Sequence, residues 1–343
     1  MSSSGTQPTY GRILRPDEAW LARLPPEPVL EPGLPIIDAH HHLWAKPGYP
    51  YGVPEFLADV ATGHDIVASV FIECHSAWRQ DGPEALRPVG ETEHVAACAA
   101  RIDAAGGPRI AAGIVAYADL TLGDAVAPVL EAHLAAGQGR LRGIRQQATW
   151  DEDPAIGHGA PCTGLLRRAD FRAGLARLAP LGLSFDLWVF HHQLDEALEI
   201  ARAFPGTTFI LGHCGGQLGY GRHAGRREEI FAAWKDGMAA LAACPNVMCK
   251  LGGLTMRLAA FDYAARDVPP SSAELAALWA PTIHSCIELF GPGRCLFESN
   301  FPVEKMGVGY ATLWNAFKRL AAGASGDEKL ALFSGTARRA YRI

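Results

Sequence analysis

Eight short apolar runs, each followed by a longer stretch of helical period, constrain this chain more than any other feature. Strands are predicted at 35–40, 66–73, 110–117, 141–147, 183–189, 207–213, 246–251 and 295–300. Helices are predicted at 91–104, 123–136, 194–204, 226–243, 272–290, 310–322 and 327–341. Strands that alternate with helices pair in parallel, because a parallel connection must cross over a face of the sheet. Eight such units predict a closed (β/α)8 TIM barrel, an α/β fold, rather than an open doubly wound sheet. No Gly-x-Gly-x-x-Gly follows any strand, and Gly212-His-Cys-Gly-Gly has the wrong spacing for a dinucleotide loop.

A length of 343 residues allows one large domain or two smaller ones. No low-complexity linker divides the rhythm, so 34–343 is read as a single barrel. Residues 1–33, rich in proline, are read as an N-terminal arm with a short helix in 17–24, anchored by Trp20. Hydrophobic residues make up 49% and charged residues 20%, a globular profile. The net charge of −5 and the lack of any basic run argue against nucleic acid as a partner. Neither a secretory signal nor about 18 consecutive apolar residues is present, which predicts no membrane contact and a cytoplasmic location. The eight cysteines show no CxxC spacing and are read as reduced packing thiols.

Chemistry in such barrels sits at the carboxyl ends of the strands. In an extended strand Asp38, His40 and His42 share one face and His41 the other, so His41 is assigned a structural role. The other predicted strand ends carry Glu73 with His75 beyond, Arg145 and Gln147, Asp186 and Trp188, His213, Lys250, and Glu298 with Asn300. Any one of these can be a salt-bridged rim residue. Burying the whole set without a function to explain it would be costly.

The motifs Ile37-Asp-Ala-His-His-His-Leu-Trp44, Gly143-Ile-Arg145, Gly212-His213, Lys250-Leu-Gly252 and Phe297-Glu-Ser-Asn-Phe-Pro302 carry a resemblance. From about Leu34 to the C-terminus the chain resembles the amidohydrolase-related family of the amidohydrolase superfamily, in its lactonase-like branch. The resemblance implies a (β/α)8 barrel that hydrolyses a small cyclic ester, a sugar-acid or aromatic-catabolism lactone, or less often decarboxylates a related acid. It places the family's strand-one pair at His40 and His42 and its strand-six histidine at His213. The strand-eight aspartate falls at Asn300, whose amide lacks a carboxylate's basicity. Arg145 and Gln147 stand where binuclear relatives place a carboxylated lysine, and strand five offers no histidine before His191 and His192.

His40, His42 and His213 can hold one divalent metal, zinc, with a position left for water, and Glu73 can add the charge that Asn300 lacks. Without a cofactor, His40, His42 and Lys250 would polarise the carbonyl directly. Glu298, on the parity of Asn300 and with its pKa raised by burial, is then the favoured base, with Glu73 and Asp38 as further candidates. Arg145, Lys250, Asp186 and Trp188 are assigned to substrate binding, and the two cations predict a small anionic substrate. The expected activity is hydrolysis of a small, acidic lactone or related ester. The rival readings are a metal-dependent decarboxylase and a non-catalytic ligand-binding barrel. Assembly into a homo-oligomer is left open.

Overall fold

The computed structural model describes residues 13, 15–256, 259 and 266–343. Eight parallel strands follow one another around a single sheet in chain order. They are β1 Ile36–His41, β2 Ile66–Ile72, β3 Arg109–Ala116, β4 Leu141–Ile144, β5 Ser184–Leu187, β6 Phe209–Leu211, β7 Val247–Leu251 and β8 Cys295–Phe297. The ring closes just past β8, where Asn300 N donates to His40 O and His42 N donates to Phe301 O. The predicted (β/α)8 barrel is the observed fold.

The α-helices of six or more residues are α1 Val53–Val60, α2 Val89–Ala104, α3 Ala127–Ala136, α4 Ala169–Leu175, α5 Leu194–Ala203, α6 Arg227–Ala242, α7 Ser272–Phe290, α8 Tyr310–Leu320 and α9 Thr336–Tyr341. α1 and α4 were not expected from the sequence pattern, being only 8 and 7 residues long. The predicted helix at 123–136 starts later, because Gly123 takes φ +60° and breaks the turn. Among the described residues, no helix is long and apolar enough to cross a membrane.

Two apolar layers hold the barrel. The sheath between strands and helices includes Ile36, Phe71, Phe185, Trp234 and Trp314. Inside the barrel Ile37, Ala39, Val70, Val115, Ile210 and Leu296 pack with Ala337, Ala340 and Tyr341 of α9, which plugs the floor. Within 13–33, the stretch Glu18–Leu21 is helical, capped by Asp17. Trp20 is buried and donates from Nε1 to Arg266 O at 2.8 Å, and Lys318 of α8 donates to the carbonyls of Leu30 and Glu31.

Strand parity fails at one decisive place. The register of β1 against β2 shifts between Asp38 and His41. Ile37 and Ala39 face the interior, yet His40 does so as well, and Asp38 turns to the sheath. There its carboxylate accepts from Ser299 N at 2.8 Å, Ser299 Oγ at 2.6 Å and the Tyr310 hydroxyl at 3.0 Å. Burial raises its pKa to about 6. The expectation that Asp38 shares a cavity with His40 and His42, and serves as a base there, is therefore corrected. His41 faces outward, stacked on Phe56 with ring centres 4.0 Å apart and bonded to Ser69 Oγ.

Candidate active site

His40 and His42 leave the end of β1 and His213 follows β6. All three imidazoles are buried, and each has its Nδ1 next to an acceptor. His42 Nδ1 lies 2.8 Å from the carbonyl of Ile72, His213 Nδ1 lies 2.6 Å from Glu298 Oε1, and His40 Nδ1 lies 2.8 Å from Glu298 Oε2. A carbonyl or carboxylate oxygen only accepts, so His42 and His213 carry the ring proton on Nδ1 and have Nε2 bare, whereas His40 Nδ1 takes the Lys250 N–H at 3.3 Å and His40 carries its proton on Nε2. His40 Nε2 and His42 Nε2 face each other at 3.1 Å.

Glu298 is the centre of the cluster. It is fully buried, joins two imidazoles, accepts from His213 N at 3.1 Å and lies 3.8 Å from Lys250 Nζ. Burial alone would raise its pKa, as expected from the sequence. The charge and hydrogen bonds of His213 and the charge of Lys250 outweigh burial and hold it below the usual range. A carboxylate of lowered basicity that accepts both the backbone N–H and the Nδ1–H of His213 is placed to orient that imidazole. Gly252 and Gly253 make room for it: a Cβ at Gly252 would lie 2.5 Å from Glu298 Cγ, and one at Gly253 2.4 Å from His213 Nδ1. Burial also pushes the His40 and His42 pKa values well below normal.

The remaining predicted groups meet acids of the barrel itself. Arg145 donates from Nε to Glu73 Oε1 and from Nη2 to Glu73 O, both at 2.6 Å. Its two-point grip is thus spent on Glu73, not left for a substrate. Burial opposes ionisation of Glu73, but Arg145 and His75 prevail and set its pKa at about 2, too low for a base at neutral pH. Lys250, 1% exposed, donates to Asp186 Oδ2 at 2.8 Å and approaches His40 Nδ1 at 3.3 Å. Asp186 also accepts from the Tyr341 hydroxyl at 2.8 Å. The charges of Arg145 and Lys250 are thus answered inside the barrel, while Asp186 Oδ1 is buried with no hydrogen-bond partner among the described residues. Trp188 is buried with its edge on His213, ring centres 4.5 Å apart.

Asn300 lies beyond the end of β8, at φ +52°, so its strand parity with Glu298 does not hold. Its Nδ2 donates to Glu304 Oε1 at 3.2 Å, while Glu304 Oε2 accepts from Thr255 N at 2.7 Å. Sequence reasoning missed Glu304, although its spacing of four from Asn300 was a usable signal. It also missed Tyr341, which comes from a terminal helix and gives no signal at all. Burial, only partly offset by Thr255 and Asn300, raises the Glu304 pKa from 4.5 to about 7. A raised carboxyl pKa stabilises the fold below the unfolded value and loses that contribution as pH climbs through the folded value. Relative to Glu304→Gln, the wild-type urea midpoint is therefore expected to fall between about pH 4.5 and 7 and level off above.

Among the described residues, two groups bring three metal-ligand atoms within 4.8 Å of one another: His40, His213 and Glu298, and separately Asp151, His192 and His223. His42 stands outside the first group and meets it through His40. Of the predicted set of His40, His42 and His213, the structure groups His40 and His213 with Glu298, while His42 meets His40 alone and Glu73 stays with Arg145.

Comparison with known proteins places this arrangement. The sequence model of the amidohydrolase family matches residues 37–343. The chain belongs to the amidohydrolase family. As a member it is an amidohydrolase-type hydrolase, in keeping with histidines at the carboxyl ends of β1 and β6. It is 33% identical over 331 residues to the uncharacterised protein y4mH of Sinorhizobium fredii, covering 90% of this chain and 98% of that one. It is 26% identical over 323 residues to an L-fucono-1,5-lactonase of Burkholderia multivorans, covering 90% and 96%. A crystal structure of a Burkholderia multivorans amidohydrolase with bound HEPES superposes with a TM-score of 0.65 at 25% identity, covering 90% and 99%. A second crystal form of that target, with bound zinc, gives 0.64 at 24% over the same shares, a likeness of fold.

Proposed function

We propose that this amidohydrolase opens a small lactone or related ester by attack of water on the carbonyl. The observation that carries the reading is the set of three buried imidazoles at one end of the barrel, with His213 Nδ1 engaged by Glu298 and His42 Nδ1 by the Ile72 carbonyl, so that their Nε2 atoms are acceptors. The lactonase relative supports this substrate class. No charge on the substrate is required, since Arg145 and Lys250 are paired within the barrel.

The donor set able to hold one divalent ion is His40, His213 and Glu298, whose ligand atoms lie within 4.8 Å of one another. These residues would hold a zinc ion, with Glu298 supplying the charge that Asn300 lacks; when bound, the ion would polarise the carbonyl and acidify water. With a proton in place of the ion, His40 Nε2–H donates to His42 and its bare Nδ1 takes the Lys250 N–H at 3.3 Å.

The test is a panel of five- and six-membered lactones assayed by acid release, with product mass and zinc content measured before and after chelation. Ring opening with gain of one water, lost on chelation and restored by zinc, is the expected result. Release of CO2 without water addition, or inertness of the zinc-loaded protein on the whole panel, overturns the reading.

A further inference from the structure

Helix α9 reaches the imidazole cluster from the barrel floor through two residues that the ester-opening reading leaves without a role. Tyr341 is fully buried, and its hydroxyl donates to Asp186 Oδ2 at 2.8 Å. The same oxygen takes the Lys250 ammonium at 2.8 Å, with Nζ 5.5 Å from the centre of the Tyr341 ring. Asp186 Oδ1 has no hydrogen-bond partner among the described residues, so a single oxygen carries both donors. Beyond it, Lys250 Nζ lies 3.3 Å from His40 Nδ1.

The direction of this line of hydrogen bonds is fixed at both ends, because an ammonium only donates and a carbonyl only accepts. Lys250 gives an N–H to His40 Nδ1, His40 Nε2–H donates to His42 Nε2 at 3.1 Å, and His42 Nδ1–H ends on the Ile72 carbonyl at 2.8 Å. A second arrangement lies close by. Glu298 Oε2 stands 2.8 Å from His40 Nδ1 and 3.8 Å from Lys250 Nζ, yet it has no hydrogen-bond partner among the described residues. A short shift of Lys250 towards Glu298 would leave His40 Nδ1 free to carry the proton and donate to that carboxylate. His40 Nε2 would then lose the proton it offers His42. Which form holds depends on what keeps Lys250 in place, and that is Asp186.

We propose that Tyr341 and Asp186 are positioning residues for this site: by seating the Lys250 ammonium on His40 Nδ1 they select the tautomer of His40, and through it the proton that His42 receives. A hydroxyl on a packed ring suits the task, since α9 is held among Ile37, Val115 and Leu296 and the carboxylate it pins has no other fixed support than Lys250. The consequence for rate rests on the ester-opening reading, whereas the tautomer can be read without any substrate.

The test uses the full-length protein labelled with 15N-histidine, after chelation, with the His40 resonances identified by their loss in His40→Gln. Long-range 1H–15N spectra of wild type should show His40 bare at Nδ1 and protonated at Nε2. Tyr341→Phe keeps the ring and removes the hydroxyl; losing one hydrogen bond to a charged group should raise the Nδ1–H form of His40 about tenfold or more. Asp186→Asn, which keeps the shape and removes the charge, should do the same. Tyr51→Phe is the control, because its hydroxyl donates to Asp59 at 2.6 Å in a tyrosine–aspartate pair outside this line; it should lower the urea midpoint and leave the His40 spectrum unmoved. Where lactones are opened, Tyr341→Phe should lower kcat about tenfold with KM within about twofold of wild type. A wild-type proton on His40 Nδ1, or folded Tyr341→Phe and Asp186→Asn variants with the wild-type His40 spectrum, overturns the proposal. A tautomer shift in protein inert on every lactone supports it, which separates its outcome from that of the ester-opening reading.

Discussion

Glu298→Gln is expected to lower kcat by roughly 10²- to 10⁴-fold while the protein stays folded. The carboxylate accepts from His213 Nδ1 at 2.6 Å and from His213 N at 3.1 Å, so it sets the tautomer of that imidazole. An amide of the same shape offers one acceptor and one donor. With its N–H turned to Nδ1, His213 would have to move its proton to Nε2, where the chemistry needs a lone pair. The same change removes the negative charge that favours a zinc ion on these rings, so zinc content should fall with activity. Far-ultraviolet circular dichroism and a urea titration establish folding, and kcat on the best lactone of the panel gives the effect. A variant within tenfold of wild type would remove Glu298 from the mechanism. Asn300→Ala is the control, because its amide meets Glu304 and not the imidazoles.

Arg145→Met should cost about 3–5 kcal/mol of stability, the range for breaking a buried ion pair and stranding one charge. Glu73 is fully buried, its Oε1 accepts from Arg145 Nε, and His75 Nε2 lies 3.2 Å from its Oε2. With Arg145 gone, the carboxylate must either ionise without its main partner or take up a proton. The pH dependence tests the cause. A depressed carboxyl pKa contributes stability above the unfolded value, and that contribution is lost as pH falls through the folded value. For Glu73 the window runs from about 4.5 down to about 2, and the wild type should lose more stability across it than the variant does. Glu73→Leu combined with Arg145→Met should recover most of the loss, because no buried charge then remains unpaired. A variant of wild-type stability with a raised KM would instead restore Arg145 as a substrate contact.

The alternation of apolar runs and helical segments was enough to specify the barrel, because a parallel sheet closed by helices is the arrangement that buries eight such strands. The histidines were legible from type and position, as His40, His42 and His213 stand at strand ends in any such closure. What these groups touch was not legible, and for a physical reason. Parity arguments hold only while the backbone stays extended and in register. β1 shifts register between Asp38 and His41, which sends Asp38 to Tyr310, and β8 ends at Phe297, so Asn300 turns away at φ +52°. Charge pairing across the barrel is set by distances between strands far apart in sequence. Only the tertiary structure decided that Arg145 answers Glu73, that Lys250 answers Asp186 with Tyr341 beneath it, and that Glu298 holds His213.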